Sequence, residues 1–598
     1  MNKWAYVIEP IRAWVDRSAG RNRSIPVASE RSGPWFANRL ALAATIAAGC
    51  VCYGLTFRRG VSLPTVGYGE VAAERVLNGE VPYRDFFFNY TPGVLWLNTL
   101  AMMLFGPRML AMRGVIALFR LATTIAGCQI GSRVLSTGWT LIAVTLMLAW
   151  SASIFTVHPT EYSMLFVMMT MASLLRFDES RGLFNLFAAG LWVGLIFTFK
   201  HNVGLAMLLA CGCAIALRAR FLEAERESSA PRSQLALIFI GFVTVVAPMA
   251  AYLATHKALG PMLHHFIHHA AEFGASRAVG PPMPENPPML AAGLLIAGIV
   301  GWGINQRSHS LFLAYVITVT LSAICAVVWA GRGSGPMQSA VAIAAFLPLI
   351  AFGAVILIIK GLLRMQRNDK GAYEGLARHG RRLAIVACVA VGAYMELVPQ
   401  ADVYHLVRVL PPLFLLVTLL LSGLENHLFA AGVPRDDLRL LATALRIPIV
   451  ALLVCVGIEI TWLPRFQHGP RLDQSRPVSL DRMKGILVSE DEAAQIDSIK
   501  TLVAENTGVA DSVFAFDRPG SALYFLTGRR NPTRFLWWES VGIEAVDRQF
   551  VLDLIDRGEI DAIVISDGIS ATHIRARLAR RYHLAASSSN FDLYKPIR

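Results

Sequence analysis

Charge is scarce in this chain. Only 16% of its 598 residues are Asp, Glu, Lys or Arg, while 55% are hydrophobic, against roughly a quarter charged in soluble domains. That deficit excludes an ordinary water-soluble enzyme. A cysteine framework is also missing. The eight cysteines (Cys50, Cys52, Cys128, Cys211, Cys213, Cys325, Cys388 and Cys455) all fall in apolar runs and none forms a CxxC pair, so no disulfide scaffold or zinc ribbon is implied. The stretch Met1–Arg39 is basic and polar, without the apolar core and cleavage site of a removable leader. What abounds is long apolar runs. Leu40–Phe57, Thr140–Phe155, Gln234–Leu253 and Ser339–Ile359 reach or approach the ~20 residues that cross a bilayer as a helix. The formal net charge of +14 then reads as Lys and Arg gathered on cytoplasmic loops, and no nucleic-acid partner is inferred.

Hydrophobic patterning predicts an all-α polytopic membrane domain with helices near 40–57, 110–132, 138–156, 160–177, 183–199, 203–217, 233–254, 289–305, 310–330, 338–360, 383–399, 406–424 and 445–463, about thirteen in all. An odd number places the two ends of the chain on opposite sides. The basic segment 1–39 belongs in the cytoplasm, as do the loops 218–232 and 360–382, whereas 255–288, 331–337 and 400–405 are poor in Lys and Arg and face outward. The run Thr91–Phe105 is apolar but short, at ~22 Å if helical, and is expected to lie in the outer interface. Three parts follow: a cytoplasmic segment 1–39, a membrane domain 40–463 with a long first outer loop 58–109, and an outer α/β domain 464–598. In the last part Val513–Phe516 and Ala562–Ile565 look like buried strands, and Glu490–Val503 and Gln549–Asp556 have helical spacing.

The first outer loop is dense in acids. Glu70 and Glu74 lie one helical turn apart, and Asp85 sits in a Tyr83-Arg84-Asp85 turn. A carboxylate partly desolvated against a membrane face gains basicity, which suits a general base; acids on a solvated loop are the plain alternative. The next outer turn holds His158-Pro-Thr-Glu161, where Glu161 either caps a helix start or joins a site. Lys200-His201-Asn202 fills a further outer turn and can meet an anion or merely snorkel. In 255–288, His264/His268 and His265/His269 share helix faces, yet without HExxH no metal ligand is assigned. Asp402, His405 and Arg408, with Glu396 just before them, stand where a helix enters from outside, and a structural ion pair there competes with a binding role. Arg113 and Arg120, seven residues apart inside a span, require anionic or carbonyl partners.

These loops, in the order GEVPYRDFFFNYTPG, LFG, Met112-Arg113, HPTEY, FTFKHNVG and DVYHLVRVLPP before a polar tail, resemble bacterial multi-pass glycosyltransferases of the GT-C superfamily. The protein O-mannosyltransferase and aminoarabinose-transferase type, glycosyltransferase family 39-like, is the nearest pattern. The resemblance implies an inverting hexosyl- or pentosyltransferase in a bacterial inner membrane. It would move a sugar from a polyprenyl-phosphate donor to a lipid, glycan or protein acceptor at the outer face. It also implies a first-loop acid as base, mapping to Glu70 or to Asp85, with Glu161 assisting. Lys200, His201, Arg113 and Arg408 would hold the donor phosphate, supported by His158, Tyr83, Arg84, Asp402 and His405. No cofactor is required, and a divalent metal is compatible. Relatives carry an acid a few residues earlier, where this chain has Pro64-Thr65-Val66-Gly67, which leaves the base open between Glu70 and Asp85. The main alternative is a secondary transporter of an anionic substrate. It predicts inverted repeats and charges near mid-bilayer; no repeat is found, and most charges sit at the outer edge. A ligand-binding receptor would leave the acidic first loop without a role.

Overall fold

The computed structural model describes residues 35–61, 66–151, 155–222, 231–277, 373–398, 403–430, 475–516, 521–538, 543–566, 572–588 and 591–597, with pieces of helix between 351 and 359 and between 446 and 458. Helix α1 (Trp35–Thr56) precedes the long first loop, which carries α2 (Tyr68–Leu77) and α3 (Gly93–Phe105). Then follow α4 (Met109–Val134), α5 (Thr137–Trp150), α6 (Pro159–Ser180), α7 (Phe184–Phe199), α8 (His201–Leu222), α9 (Pro231–Thr255), α10 (Leu259–Arg277), α11 (Tyr373–Tyr394) and α12 (Val403–Ala430). Among the described residues five helices are long and apolar enough to cross a membrane: Ala37–Thr56, Met109–Val134, His201–Phe221, Pro231–Thr255 and His405–Gly423. The spans expected at 289–305 and 310–330, and most of those at 338–360 and 445–463, lie outside the described residues. The span expected at 138–156 is shorter than anticipated, a helix of 14 residues ending at Trp150.

The short apolar run in the first loop forms α3, 13 residues between Pro92 and Gly106. Pro92 has no N–H to give and suits a helix start, while Gly106 turns the chain at φ 81°, a backbone region that glycine enters without a Cβ clash. Gly93 lets this helix begin against α7, since a Cβ there would lie 2.6 Å from the Thr198 carbonyl oxygen. Met103, Leu104 and Phe105 at the far end are exposed, an apolar edge that suits a membrane interface.

The polar tail folds around a four-stranded mixed sheet. Its strands β3 (Val513–Ala515), β4 (Ala562–Ser566), β5 (Tyr582–Ser587) and β6 (Phe591–Pro596) stand in the order β3-β4-β6-β5. The first pair is parallel, with Val513 opposite Ala562, and the others are antiparallel. The two central apolar runs read as strands in the sequence form strands here within a residue. Helix α13 (Glu490–Ile499) starts with a capping box at Ser489 and Glu492 and widens into a π turn over Lys500–Ala504.

This tail grips the first loop. Leu487, in a two-residue strand β2 (Leu487–Val488) paired with β1 (Arg476–Pro477), exchanges backbone hydrogen bonds with Arg58 and Gly60 at 2.7 and 3.0 Å. Arg482 donates both terminal nitrogens to Glu74 at 2.7 Å. Arg75 donates to the Thr533 carbonyl, and the Phe87 N–H donates to that of Arg534. Val71, Met102 and Met112 share one buried core with Met483, Leu523 and Trp537, so the loop lies between the helix bundle and the tail.

Candidate functional site

Helix α6 places the first group. Pro159 fills its first position, and His158 caps it by accepting the Thr160 N–H at Nδ1 (3.4 Å). Glu161 is thereby turned one step into the bundle toward α4. There Arg120 closes a fork on it, Nε to Oε2 at 2.8 Å and Nη2 to Oε1 at 2.7 Å. Arg408 of α12 adds Nε to Oε1 at 3.0 Å and gives Nη2 to Thr156 at 2.7 Å. Arg120 also reaches the Ser151 carbonyl and lies over the Phe155 ring, 4.1 Å from its centre. All three side chains are buried. One buried carboxylate thus joins guanidiniums from two helices, α4 and α12. A cavity of about 50 Å³ opens beside them, lined by Tyr53, Ser151, Glu161 and Arg408 among others.

A second group adjoins it. Lys200 ends α7 and pairs with Glu396, which also accepts from Thr160 at 2.7 Å. The ammonium lies 5.2 Å from the centre of the Tyr90 ring, and that ring meets His158 edge-on, as His158 meets His405. Burial first, then the charges of Arg408, Lys200 and His405, hold the His158 imidazole well below its ordinary pKa, so it is neutral at pH 7. The second oxygen of Glu396 has no hydrogen-bond partner among the described residues. His158, Glu396 and His405 offer three ligand atoms within 4.8 Å of one another, a donor set that suits a divalent cation. A cation there would compete with Lys200 for Glu396 and face Arg408, so an anionic substrate alongside would favour its retention.

The first-loop acids lie nearby but differ in state. The Glu70 carboxylate is buried and accepts the Gly67 N–H at 3.1 Å, across the start of its own helix. Burial pushes its carboxyl up from 4.5 to about 7, against the opposing pull of those backbone N–H groups and of Arg113. Gly69 seats this helix against the turn before His158: a Cβ there would lie 2.7 Å from the Val157 carbonyl oxygen. Tyr162 feels the charges of both Glu70 and Glu161. Asp85 instead braces its own turn. It accepts from the Val81 N–H at 2.7 Å and pairs with Arg84, whose hydrogen bond holds it below the usual carboxylate range. Tyr83, at φ 68°, donates its hydroxyl to the Tyr90 carbonyl.

The structure thus brings Glu161, Arg408, Lys200, His158 and His405 together, while Glu70 follows Gly69, which seats its helix against Val157. Other residues singled out in the sequence stand apart. Arg113 donates Nη2 to the Gly60 carbonyl at 2.8 Å and holds the entry of the first loop. His201 stacks on Phe266, ring centres 4.0 Å apart. Arg84 serves Asp85, and Asp402 lies outside the described residues. Two members carry more than the sequence reading gave them. Arg120 was expected only to need a partner and is the main one of Glu161. Glu396 was noted only as a neighbour. Its signal was available, since a carboxylate within the apolar run 383–398 is costly unless it has a task.

No family description matches the chain, and no curated protein sequence is similar to it. Among solved structures it is similar to ArnT, an aminoarabinose transferase, from Cupriavidus metallidurans in the apo state, with a TM-score of 0.43 and 14% identity over 94% of this chain and 97% of that one. It is also similar to the Archaeoglobus fulgidus oligosaccharyltransferase in complex with Zn and sulfate, with a TM-score of 0.44 and 12% identity over 93% of this chain and 73% of that one.

Proposed function

We propose that this chain is an inverting membrane glycosyltransferase that moves a sugar from a polyprenyl-phosphate donor to a hydroxyl of a lipid, glycan or protein acceptor. The reading rests on one juxtaposition. A buried carboxyl poised near neutrality on the first loop lies on the helix that packs at Gly69 against Val157, next to His158. The same turn leads into a group of buried ion pairs in which Arg120 and Arg408 hold Glu161 and Lys200 holds Glu396. The loop motifs of the GT-C pattern point to the same chemistry.

In this reading Glu70 is the base. As the acceptor oxygen bonds to the anomeric carbon, its proton passes to the Glu70 carboxylate. The bond from that carbon to the phosphate oxygen breaks, and its electron pair stays on the phosphate. A base with a pKa near the working pH is best matched to such a transfer. The departing phosphate gains negative charge, which Lys200, Arg408 and Arg120 offset in a water-poor setting. Glu161 acts through the arginines, fixing both forks so that their remaining N–H groups keep one direction. A divalent cation at His158, Glu396 and His405 would supply further positive charge beside the phosphate. The outward placement of this face, the amino-terminal segment in the cytoplasm and the bacterial inner membrane as location belong to the same proposal.

Membranes carrying wild type, Glu70→Gln, Asp85→Asn or Glu161→Gln, supplied with a radiolabelled polyprenyl-phosphate sugar, test it. Wild type is expected to transfer label, Glu70→Gln to lose transfer at unchanged protein level, and Asp85→Asn to retain it. Wild-type membranes inert toward every such donor would refute the reading. Full activity of Glu70→Gln would refute the base assignment.

A further inference from the structure

The other end of α6 carries a second charged cluster that the transfer reading does not use. Helix α6 has 22 residues, about 33 Å at 1.5 Å per residue, so Asp178 near its end lies at the end of the helix opposite His158. Asp178 is buried. Its Oδ1 accepts Nε of Arg218, from α8, and Nε of Arg381, from α11, both at 2.9 Å. Arg218 and Arg381 are themselves buried. Next to them Glu179 meets Arg133 at 2.9 Å and Arg382 at 3.4 Å. Among the described residues two carboxylates therefore face four guanidiniums.

The hydrogen bonding is as incomplete as the charge. The Nη2 of Arg218, whose side chain is 2% exposed, and the Nε of Arg382 are buried without an acceptor among the described residues. Unmade bonds on a buried guanidinium are costly, and a tetrahedral oxyanion meets planar N–H forks in pairs. Apolar side chains flank the cluster at the same level. Leu183 and Phe184, in the turn after Arg181, are 49% and 74% exposed, which suits contact with acyl chains. Phosphate oxygens set among cations, with hydrocarbon alongside, describe one chemical class.

We propose that the Asp178–Arg218–Arg381–Arg382 cluster binds the phosphodiester of an anionic phospholipid at the membrane face opposite the transfer site. The lipid would complete the charge of the three helices it joins. The proposal does not depend on the transfer reading.

The test uses the full chain purified into phosphatidylcholine nanodiscs, with increasing phosphatidylglycerol and thermal unfolding as readout, and native mass spectrometry to count retained lipids. The variants are Arg382→Gln and Arg378→Gln, at the half-buried rim, where folding in phosphatidylcholine alone should match wild type. Saturable stabilisation by phosphatidylglycerol is expected, with an apparent affinity about tenfold weaker in Arg382→Gln, as for one lost charge-assisted hydrogen bond. Equal effects of both lipids, full protection by inorganic phosphate in phosphatidylcholine discs, or unchanged lipid affinity in both variants would each overturn it.

Discussion

Replacing Glu70 by Gln separates two consequences of burying one carboxyl. In the folded chain the group protonates at about 7 rather than 4.5, so the folded state holds its proton more tightly than the unfolded state. Stability from this group is complete below about pH 4.5. It declines as pH rises, because the unfolded chain ionises first, and the loss levels off above about 7. At ~1.4 kcal/mol per pH unit of difference, the burial costs about 3 kcal/mol at pH 8. Glutamine keeps the shape and can still accept the Gly67 N–H through its amide oxygen, yet it does not ionise. The expected result is a variant as stable as wild type at pH 4.5 and more stable by about 3 kcal/mol at pH 8. Thermal unfolding of both proteins in identical nanodiscs from pH 4.5 to 8.5 reads the difference. Transfer should move the other way, with wild-type activity rising through pH 7 as the base deprotonates and the variant inactive throughout. A constant stability difference across that range would refute the reasoning, because Glu70 would then ionise alike in both states.

Three further outcomes follow from the same geometry. Glu161→Gln removes the carboxylate on which Arg120 and Arg408 converge, which should cost roughly 3–5 kcal/mol; adding Arg408→Gln should restore part of the loss of thermal stability. Lys200→Met removes the charge nearest Glu396 and should lower kcat by about 10²-fold or more, the scale for deleting one stabiliser of a departing anion, as read by single-turnover transfer. Gly69→Ala sets a methyl 2.7 Å from the Val157 carbonyl oxygen; displacement of the helix should cost roughly 1–3 kcal/mol and slow transfer in step.

Much of the helix order was legible because long apolar runs admit few other structures, and the tail strands at 513 and 562 were legible because short β-rich runs stood between turns. Burial of ionic partners was not. Glu161 read as a residue at a helix start, and nothing along the chain says that Arg120, 41 residues earlier, reaches it. Arg113 and Arg120 share a helix face in sequence, yet one serves loop carbonyls and the other a carboxylate, a difference set by which segment lies opposite. Asp85 sits in the most specific motif of the first loop and proves to brace its own turn, since a short loop can satisfy a carboxylate locally. Glu70 and Asp85 could not be ranked from sequence because solvent exposure separates them, and exposure follows from the tail packing over α2.

That packing bears on how the chain matures. The partners of Arg58, Glu74 and Phe87 lie between positions 482 and 534, more than four hundred residues downstream, so a ribosome must deliver nearly the whole polypeptide before the acidic helix can take its seat. Contacts so distant in sequence form late. An interrupted nascent product would possess a bundle without an organised mouth. On the proposed function, the cell is thereby spared a half-made transferase.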